Sequence, residues 1–267
     1  MHNARLTLEH RLKSTSPSRP SKYNSDSMQE RRHRILRVTR KMIAEKGIEE
    51  LSVRDLCLRA EVAQKTLYNA FGSKDNVIAA AVQEYTDEFN KSVYYKFPAS
   101  ELEGQLERKI KVNSRNTQLR AYTSALMAVY NAPTAPPEVR RTIRAMSDAS
   151  VMPYIRELQE SDALQPNVVI ESMVYNVTSH TYSVLTDWCL NEFEDKFLVE
   201  RICEALLLVV IGSTTGEHRA AAERWLSDLR ANSRSWSTFR RLADVEPREL
   251  RAAFLQSSQK TDRESQK

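Results

Sequence analysis

Apolar residues recur at helical spacing along nearly the whole chain, in stripes separated by short polar breaks. A first stripe, Ile35, Val38, Met42 and Ile43, predicts a helix from Gln29 to about Lys46, closed by Gly47 in the C′ position. Val53, Leu56, Cys57 and Ala60 follow on a short helix whose start, Ser52-Val53-Arg54-Asp55, has the form of a capping box. A turn at Glu61-Val62 leads to a second short helix with Leu67, Ala70 and Phe71 inward. Ser73 then caps a longer helix to about Tyr95, with Val77, Ile78, Ala81, Val82, Tyr85 and Phe89 as its buried stripe. Phe97-Pro98 breaks the run. Leu102, Leu106 and Ile110 form one stripe, and Leu119, Tyr122, Leu126 and Val129 another out of phase with it. The polar Asn113–Asn116 between them predicts a kink or a break.

The second half continues in the same manner. The loop 131–137 ends at Pro137, which opens a helix carrying Val139, Ile143, Met146 and Ala149, with Pro153 further along as a bend. Pro166-Asn167 opens a helix to Leu190 with Val169, Met173, Asn176, Val177, His180, Val184 and Trp188 on its inward side. Residues 197–212 are apolar on every side in their last three turns, so they need cover all round, and the surplus side points to another subunit. His218–Asn232 is amphipathic. Beyond it Trp236, Phe239, Leu242 and Val245, then Leu250, Phe254 and Leu255 after Pro247, predict capping helices docked on the body or a partner-binding or membrane-surface element. Gln256 to Lys267 reads as disordered tail.

Two short helices joined by a tight turn make a helix-turn-helix when the second presents polar groups outward. Here those groups are Gln64, Lys65, Thr66, Tyr68 and Asn69. Gln and Asn bond adenine edges, Lys bonds guanine, a Thr methyl meets the thymine methyl, and a Tyr hydroxyl suits a phosphate. Gln64, Lys65, Thr66 and Asn69 are therefore candidates for base contacts, and Ser52, Arg54, Tyr68 and Lys74 for the DNA backbone. Lys74 opens a helix whose dipole favours acids there, and a phosphate sharing that helix end would account for the cation. Arg31-Arg32-His33-Arg34 is either a solvated face or a set of phosphate contacts.

Arg34-Ile35-Leu36, Ala44-Glu45-Lys46-Gly47, Leu51–Leu56, Arg59-Ala60-Glu61-Val62, Thr66-Leu67-Tyr68, Phe71 and Ser73-Lys74, in that spaced order, resemble the DNA-binding domain of TetR-family transcriptional regulators. The resemblance covers roughly a fifth to a quarter of the chain. It departs from the family at Glu61, where Gly is usual because the turn favours positive φ, and at Ile43 and Thr39, where Phe and Ala are common. It implies an all-α fold: an N-terminal three-helix helix-turn-helix domain joined by a linking helix to a larger C-terminal helical bundle for ligand binding and dimerisation. It also implies a phosphate contact for Lys74 and a homodimer through helices around 167–190 and 194–214.

Composition narrows the rest. Five glycines in 267 residues and few alternating β-branched runs argue against sheets. A net charge of +5 permits nucleic-acid binding. Cys57, Cys189 and Cys203 lie on apolar faces without CxxC spacing, and His180 has no second ligand at metal spacing, so no metal site or cofactor is expected. No stretch approaches the roughly 20 apolar residues of a membrane span, and no signal-peptide pattern opens the chain, which suggests a cytoplasmic protein; the resemblance implies a bacterial, nucleoid-associated one. With no nucleophile motif, phosphate loop or acid/base pair, no catalytic residue is assigned.

The expected organisation is a basic disordered leader or DNA-contacting arm at 1–27 (Met28 being a second candidate start), the DNA-binding domain with linking helix at 28–95, a regulatory and dimerisation domain at 96–232, and a C-terminal extension at 233–267. Asn176 and His180 interrupt an apolar face. They are satisfied core polar groups, interface residues, or the orienting groups of an effector pocket with Tyr85, Tyr122, Met127 and Met173. The leading function is a dimeric repressor released from a palindromic double-stranded operator by a small molecule. The rivals are an activator, or a ligand-independent architectural protein governed by a protein partner.

Overall fold

The computed structural model describes residues 22–244, with side chains from Ser27 onward. Eleven α-helices and a single 3-10 turn make up the described part, with no strand among those residues. The reader end holds α1 (Lys22–Lys46), α2 (Val53–Arg59), α3 (Gln64–Phe71) and α4 (Lys74–Ser92). The body holds α5 (Leu102–Gln118), α6 (Arg120–Asn131), α7 (Pro137–Glu160), α8 (Ile170–Cys189), α9 (Leu198–Ser213), α10 (Gly216–Arg230) and α11 (Arg234–Asp244), with the 3-10 turn Asp195–Phe197 before α9.

Several boundaries differ from expectation. The first helix starts at Lys22, so the last six residues of the expected leader, 22–27, are helical. The break foreseen at Asn113–Asn116 falls at Leu119, whose φ −118 and ψ 37 separate α5 from α6. The 167–190 helix begins only at Ile170, and Val169 ahead of it is exposed rather than inward. Residues 1–21 and 245–267, with the arm and tail assigned to them, lie outside the described residues.

Two apolar cores hold the molecule together. One joins α1–α4 to α6 and to the near ends of α7, α8 and α9, through residues such as Ile35, Leu67, Val77, Leu126, Ile143 and Trp188. The other joins α5 to α7–α11, through Leu106, Ile110, Tyr154, Val177, Leu206 and Trp236. The reader end is thus continuous with half of the body. Thr39 and Ile43, where the family commonly has Ala and Phe, are both fully buried. The Thr39 hydroxyl bonds back to the Ile35 carbonyl at 2.9 Å, so its polarity is satisfied.

The joint between α4 and the body is tightly built. A Cβ added to Gly104 would stand 1.7 Å from the Pro98 carbonyl oxygen, so only glycine lets the 97–98 backbone lie on α5. The fully buried Glu107 carboxylate accepts from the backbone N–H of Lys96 at 2.9 Å and of Phe97 at 3.1 Å. Gln105 donates to the carbonyls of Ala99 at 2.6 Å and Ser150 at 3.1 Å. From the C-terminal side, α11 sets Phe239 against Phe97 with ring centroids 5.6 Å apart, so residues 234–244 of the extension dock on the body.

Candidate nucleic-acid interface

The reader is held from several directions. Ser52 Oγ accepts the Asp55 N–H at 3.0 Å and caps α2. Glu61 takes φ 52, keeping the left-handed turn rather than relaxing it at a position where the family carries Gly, and Val62 N–H closes on the Cys57 carbonyl at 3.0 Å. Leu67 and Phe71 anchor α3 in the core. Gly72 (φ 80) then turns the chain, and Ser73 Oγ caps α4 by accepting the Asn76 N–H at 3.1 Å.

Two arginines of the Arg31–Arg34 run brace this frame. Arg32 lies 4.4 Å over the Phe71 ring and donates to the Ala70 carbonyl at 3.3 Å. Arg34 Nε donates to the Ala60 carbonyl at 2.9 Å. Each cation meets the carbonyl end of a short helix, where the backbone lacks donors.

With α3 fixed, Gln64, Lys65, Tyr68 and Asn69 are exposed on one side and Thr66 is half-buried at its edge. Arg54 is exposed, while Ser52 and Lys74 are half-buried at the starts of α2 and α4. Among the described residues Ser52 Oγ accepts only the cap N–H, which leaves its O–H to donate to a phosphate. Asp75 in the first turn of α4 softens the dipole argument for Lys74 without removing the cation. The six pocket candidates are not brought together. Tyr85 and Tyr122 meet edge to face at 5.5 Å and share the first core with Met127, whereas Met173 lies in the second core. Asn176 and His180 are on the exposed side of α8 with Tyr175, which corrects their inward assignment. The 3.6-residue count placed them one position off the true boundary of the buried face.

Sequence reading also passed over the polar interior. Gln105, Glu107, Lys109, Lys111, Asn113 and Arg115 on α5 are all buried. Their i, i+4 ladders were the available signal, masked by the stripe Leu102–Leu106–Ile110. Lys111 stands 3.8 Å from Glu107, and Arg115 Nε donates to the Tyr85 hydroxyl on α4 at 3.2 Å. His33, Glu84 and Glu88 bring ligand atoms within 4.8 Å of one another, but Arg40 pairs with both carboxylates, at 2.7 and 3.4 Å, and already supplies the positive charge. Open depressions of about 870 Å³ beside Arg120, Asp195 and Arg201, and of about 490 Å³ beside Leu226 and Arg230, lie on the surface.

A short helix with a polar outer face, anchored by Leu67 and Phe71, clamped by Arg32 and set between the serine-capped α2 and α4, forms a helix-turn-helix, the geometry of a DNA-binding protein. Residues 35–81, from α1 into α4, match the family model described as bacterial regulatory proteins, tetR family. The fold as a whole is also similar to solved TetR-family structures. Full-length native tylp, a tetr regulator from Streptomyces fradiae, is 15% identical with a TM-score of 0.54, over 80% of this chain and 98% of that one. FadR from Thermus thermophilus, a TetR-family transcriptional repressor solved with lauroyl-CoA, is 16% identical with a TM-score of 0.51, over 70% of this chain and 96% of that one. No curated protein matches the chain. No described helix is long and apolar enough to cross a membrane.

Proposed function

We propose that the chain is a dimeric repressor that holds a palindromic operator through Gln64, Lys65, Thr66 and Asn69 of each copy and lets go when a small molecule binds the body. The observation that carries this is the outward polar face of α3, fixed from behind by Leu67, Phe71 and Arg32, with Arg34 holding the end of α2 before it. One such helix makes few base contacts, each worth about 1–3 kcal/mol, so useful specificity calls for two on a two-fold axis. Exposed Tyr175, Asn176 and His180 on α8, with Leu208 on α9, supply a mixed apolar and polar face for that pairing.

Release follows from the joint. Glu107, Gln105 and Gly104 bind α5 to the segment leaving α4, and Arg115 ties α5 to Tyr85 on α4 itself. A ligand that shifts α5 therefore swings α4 and changes the spacing of the paired readers. A coupling of a few kcal/mol is enough to empty the operator.

The test is selection of bound fragments from the source genome together with light scattering. The expected result is a palindromic consensus bound by a dimer. A monomer in solution, or equal affinity for random and selected duplexes at ordinary salt, refutes it.

A further inference from the structure

Lys109 projects from the middle of α5 into the second core and is only 7% exposed. Its ammonium makes one hydrogen bond among the described residues, to Thr181 Oγ1 on α8 at 3.3 Å. That hydroxyl gives its own proton to the Val177 carbonyl at 2.8 Å, so it meets the lysine as a neutral acceptor. On α9 the neighbouring group is Cys203, whose thiol burial pushes up to about 12, so it carries no compensating charge at neutral pH. On α7 the Asp148 carboxylate is taken up by Thr178 at 2.6 Å and by Arg144 at 3.5 Å. Lys109 enters no ion pair among the described residues, and burial lowers its pKa from 10.5 to about 8.

An ammonium kept from water with one neutral partner is a standing cost to the fold. Leucine or methionine would fill the same space among Leu106, Ile110, Val177 and Leu206 without it. A lone cation among buried apolar side chains where three helices meet suits one kind of visitor, able to part them: a single negative charge on an apolar body.

We propose that the region between α5, α8 and α9 around Lys109 and Thr181 binds an amphiphilic monocarboxylate, with the carboxylate on the Lys109 ammonium and the apolar part among the core residues beside it. The proposal rests on the regulator reading for what binding achieves: a ligand inserted there separates α5 from the helices of the pairing face, and α5 carries the joint to α4. Binding itself is read without DNA.

Octanoate and phenylacetate, with octanamide and phenylacetamide as neutral counterparts, are titrated against the full chain while thermal unfolding is followed. The carboxylates are expected to raise the midpoint saturably at millimolar concentration and the amides to do nothing. Lys109→Met is expected to abolish the shift, whereas Lys91→Met, which removes an exposed lysine, keeps it. The carboxylate–amide contrast uses the wild-type chain and needs no variant to fold. No saturable shift from either carboxylate, equal shifts from the amides, or an undiminished shift in Lys109→Met overturns the proposal. Operator affinity measured with and without octanoate is a separate reading: binding without release leaves this site standing and refutes release by ligand, and release without dependence on Lys109 does the reverse.

Discussion

Helices α3 and α5 use nearly the same alphabet in opposite surroundings. The first, Gln64–Phe71, holds Gln, Lys, Thr and Asn outward on two apolar anchors. The second, Leu102–Gln118, holds Gln, Lys and Asn inward, together with Glu107 and Arg115, because helices pack on it from several sides. Polar side chains on an exposed face are free to meet a partner and contribute little to stability. The same types in the interior must each be answered by the protein or weigh against it. Glu107 is answered by backbone N–H groups, Arg115 bonds Tyr85, and Lys109 is the least well answered. The contrast therefore separates residues that act on a partner from residues that hold the joint, and it marks Lys109 as belonging to neither set.

The sharpest way to break this comparison is Glu107→Ala. It orphans the Lys96 and Phe97 N–H groups and removes one partner of Lys111, so stability should fall by about 2–5 kcal/mol in chemical denaturation. Lys65→Ala should leave stability within error. It should cost about 1–3 kcal/mol of operator affinity and relax base preference at one position in each half-site, measured on a panel of duplex variants. Lys74→Ala should weaken all duplexes alike and lower the slope of log affinity against log salt by about one for each copy. If Lys65→Ala and Lys74→Ala gave the same pattern, the division of α3 and α4 between base and backbone would fail.

A smaller effect concerns pH. From about pH 8 the folded Lys109 gives up its proton, while the unfolded lysine keeps it up to about 10.5. The unfolded state then binds more protons, so stability rises with pH, by about 1 kcal/mol between pH 8 and 9. Above pH 9 the Cys203 thiol acts in the opposite sense, since it stays protonated in the fold to about 12, and the rise is cancelled. The difference between wild type and Lys109→Met across this window isolates the lysine. A wild-type curve parallel to the variant would show that its ammonium is well solvated. Of similar size, Glu61→Gly should raise stability by about 1 kcal/mol, because Glu61 occupies φ 52 at the strain a side chain carries there.

The sequence by itself determined the reader. Capping Ser52 and Ser73, anchors Leu67 and Phe71 and the turn at Glu61 are local features whose spacing dictates two short helices and an outward polar face between them. It determined the all-helical body for the same reason, since the 3.6-residue repeat reports which residues share a face. Only the tertiary structure decided which face was inside. Asn176 and His180 sit beside apolar neighbours in sequence yet point outward, and Lys109, Lys111 and Arg115 look like a solvated helix surface yet are buried. Whether a helix is covered on one side or on all depends on how many others pack against it, and that number belongs to the assembled bundle rather than to any segment of the chain.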